Sequence, residues 1–167
     1  PLIWDLVGPD GGAKLGYPVR GLFSIDFQQL NTEDGSPLFI NEKGEFSNNV
    51  YFQSDVTRYL KYEGPVDPTF TGGWSNVLKH KNWTISALIS FSGGNKVRLN
   101  PMYTDVGGSR GYSELNATPN ELLNRWTLPG DELVTNIPSI VDRRTAVKLD
   151  GVYPYSAYNY STVRVAD

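Results

Sequence analysis

Between Trp83 and Phe91 the chain alternates with a period of two. Trp83, Ile85, Ala87, Ile89 and Phe91 fall on one side, and Thr84, Ser86, Leu88 and Ser90 on the other. That is the strand period, so the pattern predicts a β-strand with one apolar face and one mostly small, hydroxylated face. A less regular strand is expected just before it, over about Thr71 to Leu78, where Trp74 and Leu78 share a face with Asn76 between them. Lys79-His80-Lys81-Asn82 links the two and is short, charged and turn-forming, so the stretch reads as a hairpin. Two settings fit this periodicity. One is an amphipathic hairpin of a soluble β-sandwich, with its polar face in water. The other is a pair of membrane-barrel strands, because nine residues at about 3.3 Å each, tilted roughly 45°, rise about 21 Å. Trp83 and Phe91 at the two ends suit interfacial aromatic girdles.

The rest of the chain predicts short strands, turns and little helix. Leu-Ile-Trp-Asp-Leu-Val near the start breaks at Gly8-Pro9-Asp10-Gly11-Gly12. Val19 to Leu30 is apolar and β-prone, and Pro37 to Ile40 with the turn Asn41-Glu42-Lys43-Gly44 predicts a small hairpin. Val56, Tyr59 and Leu60 are spaced for a short helix within Asn48 to Tyr62, ending at Gly64-Pro65. Thr118-Pro119-Asn120-Glu121 is a capping box with proline at the first helical position, predicting a helix over Pro119 to Trp126, stopped by Pro129-Gly130-Asp131. A tyrosine-rich tail follows: Tyr153, Tyr155, Tyr158 and Tyr160. No repeat of 20–50 residues is visible.

Composition narrows the class. The length, 167 residues, suits one domain, and 17 glycines, 11 prolines and 13% aromatic residues fit turns and strands better than long helices. A net charge of −3 with both signs mixed leaves no polybasic footprint, so nucleic acid is not an expected partner. With no cysteine, disulfides, thiolate metal sites and a cysteine nucleophile are excluded. No apolar run is long enough for a membrane helix, which leaves a barrel open because barrel strands alternate.

Three blocks then resemble the SusC/RagA family of TonB-linked outer-membrane proteins, near the C-terminal end of their barrel. The first is Gly16-Tyr17-Pro18, Gly21-Leu22-Phe23 and Gln29-Leu30-Asn31-Thr32-Glu33-Asp34-Gly35-Ser36-Pro37-Leu38-Phe39. The second is Pro68-Thr69-Phe70-Thr71-Gly72-Gly73-Trp74-Ser75-Asn76 with Lys81-Asn82-Trp83-Thr84-Ile85-Ser86. The third is Leu123-Asn124-Arg125-Trp126-Thr127-Leu128-Pro129-Gly130-Asp131, with Ile137-Pro138 close behind. They occur in the family's order. The resemblance implies a mainly β fold: antiparallel strands and hairpins from an outer-membrane β-barrel, with long loops and one or two short helices. Family members are several times longer, and the chain opens on Pro1, so residues 1–167 are expected to be a single piece of such a barrel without the plug domain. In that frame a central hairpin covers about 70–92 and a long outward loop about 93–160.

The resemblance further implies a function: import of large nutrients, oligosaccharides or peptides, across the bacterial cell outer membrane. The implied partners are a SusD-like surface lipoprotein, outer-membrane lipid, and the TonB complex acting through the absent plug. The alternative is an independent soluble β-rich module that binds carbohydrate. Neither reading needs a cofactor or a catalytic residue, and no enzyme is expected. The single histidine, His80, stands between two lysines with no orienting partner for general-base work. Glu33/Asp34 and Asp131/Glu132 are neighbours in turns, poorly placed for two-carboxylate chemistry. Asn31, Glu33, Asp34 and Gly35 lack the alternating aspartates of a calcium loop. Ser92-Gly93-Gly94 and Gly107-Gly108-Ser109 lack the P-loop lysine. The candidate contacts to substrate or lipoprotein are Trp126, Tyr153, Tyr155, Tyr158 and Tyr160, whose rings either stack on a ligand or pack within the loop.

Overall fold

The computed structural model of the protein describes residues 3–48, 50, 55–103, 119–140 and 153–167. The apolar run after Arg20 folds as two strands, β1 (Gly21–Ile25) and β2 (Phe27–Leu30), separated at Asp26. Every residue of β1 is buried, which is why that run is continuous rather than alternating. β1 pairs antiparallel with β5 (Leu60–Pro65), with an irregularity in register between Leu22 and Phe23. β2, β3 (Pro37–Ile40) and β4 (Phe46–Ser47) form an antiparallel meander that contains the small hairpin predicted at Asn41–Gly44.

The helix expected within Asn48 to Tyr62 is shorter than its spacing allows. Among the described residues of that span only α2 (Val56–Tyr59) is helical, and the chain enters β5 at Leu60. Tyr59 and Leu60 are both buried. Pairing with β1 satisfies the backbone of residues 60–65 and covers this apolar pair, which a single isolated turn of helix does not do. Gly64-Pro65, expected as a helix stop, therefore lies inside a strand.

The core gathers distant parts of the chain. α1 (Ile3–Val7) lays Leu6 and Val7 against β1, and α3 (Tyr153–Tyr158) packs near β3. Met102, Tyr103 and Leu122 join Phe23, Ile25 and Phe39 in the same cluster. Phe27 meets Phe39 and Tyr158 edge-on, and Tyr103 meets Tyr155 and Tyr158 edge-on. Such contacts add about 0.5–1.5 kcal/mol each beyond area burial. Asn159 closes the far side: its side chain accepts from the backbone N–H groups of Met102 and Tyr103 and donates to the Tyr103 carbonyl. Described residues between 93 and 160 thus contribute to the interior.

β8 (Val97–Arg98) pairs with β9 (Val165–Ala166). From β8 the buried Arg98 donates to the Ser161 carbonyl at 2.9 Å and the Phe23 carbonyl at 2.6 Å, tying β8 to β1 and to the C-terminal segment. Burial pulls its pKa down to about 10, partly offset by the Glu63 carboxylate, so it remains a cation at neutral pH. Arg164 pairs with Glu121 and donates to the Asn100 carbonyl.

The helix expected over Pro119 to Trp126 is a 3-10 turn, Asn120–Asn124, with Pro119 in the N-cap position. Arg125 is already extended, so too few residues remain for an α-helical hydrogen-bond ladder. Thr118 of the expected capping box lies outside the described residues. Taken together, the described residues form antiparallel β-strands and hairpins with short helical pieces, and no closed barrel.

Candidate functional site

β6 (Phe70–His80) and β7 (Trp83–Gly93) form a two-stranded sheet of eleven residues per strand, longer than the sequence pattern marks out. Lys81 and Asn82 make a two-residue loop, and Lys81 takes a positive φ of 51°. A positive φ at the first central residue belongs to the turns whose twist matches a hairpin. The register runs unbroken from His80↔Trp83 to Phe70↔Gly93. Residues directly opposite share a face, so this register assigns both sides.

One face carries Phe70, Trp74 and Leu78 from β6 with Trp83, Ile85, Ala87, Ile89 and Phe91 from β7. Asn76, opposite Ala87, and His80, opposite Trp83 at the turn end, are the polar residues among them. The other face carries Thr71, Ser75, Thr84, Ser86, Ser90 and Ser92, with Val77 and Leu88 as its apolar members and Lys79, opposite Thr84, at the turn end. At the open end, Gly72 faces Phe91 and Gly93 faces Phe70. The Phe91 ring lies where a side chain on Gly72 would stand, so the glycine makes room for the ring.

Among the described residues nothing covers this sheet. Its large apolar side chains range from 50% exposed at Trp74 to 79% at Leu88. The hairpin joins the body at its root, where Arg20 bridges Asp67 at 2.6 Å and the Lys96 N–H donates to the Pro65 carbonyl at 2.8 Å. An uncovered two-stranded sheet is marginal in water, and an apolar patch of this extent marks a surface that meets something else.

A second surface lies on residues 119–140. Asp131 folds a tight turn, its Oδ2 accepting from the Thr127 N–H (2.9 Å), the Thr127 hydroxyl (2.7 Å) and the Leu128 N–H (3.0 Å). Those donors hold its carboxyl below the ordinary 3.8. Glu132 accepts from Trp126 Nε1 at 3.0 Å and the Gly130 N–H at 2.8 Å, which lowers its pKa as well. The Trp126 ring lies over Gly35, where a Cβ would run into it. Ser139 then clamps the Asn31–Ser36 turn: its N–H donates to the Gly35 carbonyl and its hydroxyl to the Asp34 carbonyl. The first and third sequence blocks are therefore in contact through the Trp126 ring and Gly35, while Asp131 and Asp34 hold the local turns on either side.

The residues singled out for ligand contact sit mostly inside. Trp126 is 8% exposed, Tyr155 2% and Tyr158 1%, and Tyr160 is half-buried. Burial pushes the Tyr155 and Tyr158 phenols up to about 12. Tyr153 opens α3, and its side chain lies outside the described residues. The exposed apolar side chains of this region are instead Leu123, Leu128, Leu133, Val134 and, least so, Ile140, with Leu133 and Val134 each 86% exposed. No periodicity in the sequence distinguishes them. Among the described residues no cluster of His, Asp or Glu could hold a metal ion, and no helix is long and apolar enough to cross a membrane.

No protein-family model matches the chain, and no curated protein matches it. Solved structures do. The chain superposes on part of the RagAB peptide importer in its open-open state with a TM-score of 0.56, at 20% identity over 92% of this chain. It superposes on the RagAB peptide transporter with a TM-score of 0.52, at 23% identity over 78% of this chain. The likeness is one of fold. The chain spans 15% and 14% of the lengths of those two proteins.

Proposed function

We propose that the chain is part of an outer-membrane importer of large nutrients, with β6 and β7 as two adjacent membrane-spanning strands. The observation that carries this reading is the hairpin, paired end to end, apolar on one face, hydroxylated on the other and covered on neither by the described residues. Eleven residues at about 3.3 Å, tilted near 45°, rise about 25 Å, the height of a barrel's apolar band. In a barrel the apolar face meets lipid, the hydroxylated face looks inward, and neighbouring strands close both open edges. The likeness in fold to RagAB chains supports this setting.

In this reading the function is binding and gated passage, with no covalent step. The packed body stands at the root end of the strands, on the outer side, and the two-residue turn faces the periplasm. Peptide is the substrate class that the RagAB likeness favours, and a lipoprotein of the SusD kind is the partner for the outer side. The contact falls to Leu123, Leu128, Leu133 and Val134, since Trp126, Tyr155 and Tyr158 face inward. A soluble carbohydrate-binding module would need an exposed aromatic platform away from the hairpin, and those rings pack into the interior instead. Excising Phe70–Gly93 from the protein in its native membrane is expected to abolish recovery in the outer membrane and heat-modifiable migration. Undiminished recovery of a heat-modifiable species would overturn the assignment.

A further inference from the structure

We propose that a small cleft beside the Asn120–Asn124 turn captures the C-terminal residue of a peptide. Arg125 pairs with the terminal carboxylate, and a compact aliphatic side chain fills the apolar space next to it. The proposal rests on the importer reading above for the class of ligand. It adds which end of the peptide is read, and by which residue.

The cleft is lined by Pro119, Asn120, Leu122, Leu123, Arg125 and Ile140 and has a volume of about 120 Å³. Leu122 is buried, while Leu123 and Ile140 keep apolar surface open to solvent. A cavity of about 150 Å³ holds benzene. The space here is smaller, so it suits one aliphatic side chain better than an aromatic ring or a long acyl chain.

Arg125 gives the cleft its charge. Its Nη1 donates to the Leu122 carbonyl at 3.1 Å, and among the described residues no carboxylate pairs with the guanidinium. Other arginines are engaged: Arg20, Arg58 and Arg164 by carboxylates, and Arg98 by the Ser161 and Phe23 carbonyls. Carboxylates near Arg125 in sequence are taken as well. Glu121 pairs with Arg164, Asp131 accepts from Thr127 and Leu128, and Glu132 accepts from Trp126 and Gly130. The guanidinium therefore offers a planar pair of donors, the shape that a carboxylate matches, beside a space the size of one side chain. In the last residue of a peptide the carboxylate and the side chain leave the same carbon, so both are filled at once. An aspartate or glutamate side chain supplies the charge without the aliphatic group.

The test is fluorescence anisotropy of short peptides with an N-terminal fluorophore, titrated with the protein in detergent micelles. Heat-modifiable migration of the same preparation is recorded alongside. A peptide ending in leucine with a free carboxylate is expected to bind roughly tenfold tighter than its C-terminal amide. It is expected to bind severalfold tighter than peptides ending in glycine or tryptophan. Arg125→Gln is expected to make acid and amide bind alike. Arg125→Lys is expected to keep part of the preference, since it keeps the charge without the fork. Leu123→Glu, at an exposed position, is expected to weaken the acid-ended peptide severalfold with circular dichroism unchanged. An undiminished preference for the acid in both Arg125→Gln and Leu123→Glu would overturn the site. Equal binding of an amidated peptide whose glutamate carries its carboxylate would also overturn it, making the cleft one for an acidic side chain of a partner protein. No binding by heat-modifiable protein would overturn the cleft and leave the importer reading standing. Acid-selective binding by protein that is not heat-modifiable would support the cleft and overturn the membrane setting.

Discussion

At Gly35 one backbone angle and one ring decide how two distant parts of the chain meet. Its φ of +67° is a conformation that side chains resist, and its missing Cβ is the space that Trp126 fills. Gly44 has a similar φ of +81° with open space around it, and so isolates the backbone effect. Gly44→Ala is expected to cost about 1 kcal/mol, whereas Gly35→Ala is expected to cost at least about 2 kcal/mol more and to shift Trp126 emission to the red. Equal losses in denaturant unfolding would show that the ring yields without penalty. Asp131 offers a second test. A carboxylate held below its ordinary pKa stabilises the fold above that value, and the contribution is lost as pH falls through the lowered one. The Thr127 and Leu128 amides should therefore be protected relative to their intrinsic exchange rates at neutral pH and lose that protection only in acid, below the ordinary carboxylate range. In Asp131→Asn they should exchange fast throughout, measured by hydrogen exchange.

Among the elements, the β6–β7 hairpin was the most legible from sequence. A side chain on every second residue is enough to assign faces, and the register shows that the apolar set of β7 and the Trp74/Leu78 pair of β6 do share one. Its length was less legible, because Gly72, Gly73 and Asn76 interrupt the pattern on β6, and cross-strand pairing rather than local preference makes them strand. The tyrosine tail was ambiguous for a related reason. Tyr155 and Tyr158 fit a ligand platform and a core equally well until long-range contacts from Tyr103 and Phe27 decide which. Depth along the hairpin now separates two apolar positions. Ile89 lies near the middle of the eleven pairs and Ile85 near the turn. Ile89→Lys is expected to cost outer-membrane assembly about 2–4 kcal/mol, Ile85→Lys less because its ammonium reaches the interface, and Ser86→Lys least. Equal damage at all three, read from the heat-modifiable fraction, would mean a strand buried on both faces.

For the whole molecule, the contrast is between a body with a shared core and a hairpin that has none. Covering the exposed apolar face would contribute on the order of 10 kcal/mol, comparable to the entire stability of a domain, so the hairpin's conformation depends on what surrounds it. The outer surface makes a smaller demand. Replacing Leu128, Leu133 and Val134 together by serine is expected to leave barrel abundance near normal and to reduce co-purification of the surface lipoprotein severalfold. Such exposed side chains contribute little to folding, while apolar anchors carry most of a contact's energy. Unchanged co-purification would move the contact elsewhere.

The most direct measurement is a single-cysteine scan from Trp83 to Phe91 in the membrane-assembled protein, each site labelled with an environment-sensitive fluorophore and quenched by lipid-borne bromine. The account predicts quenching with a period of two: strong at positions 83, 85, 87, 89 and 91, weak at 84, 86, 88 and 90, and deepest near Ile89. Uniform quenching along the strand, or none at any position, would contradict it.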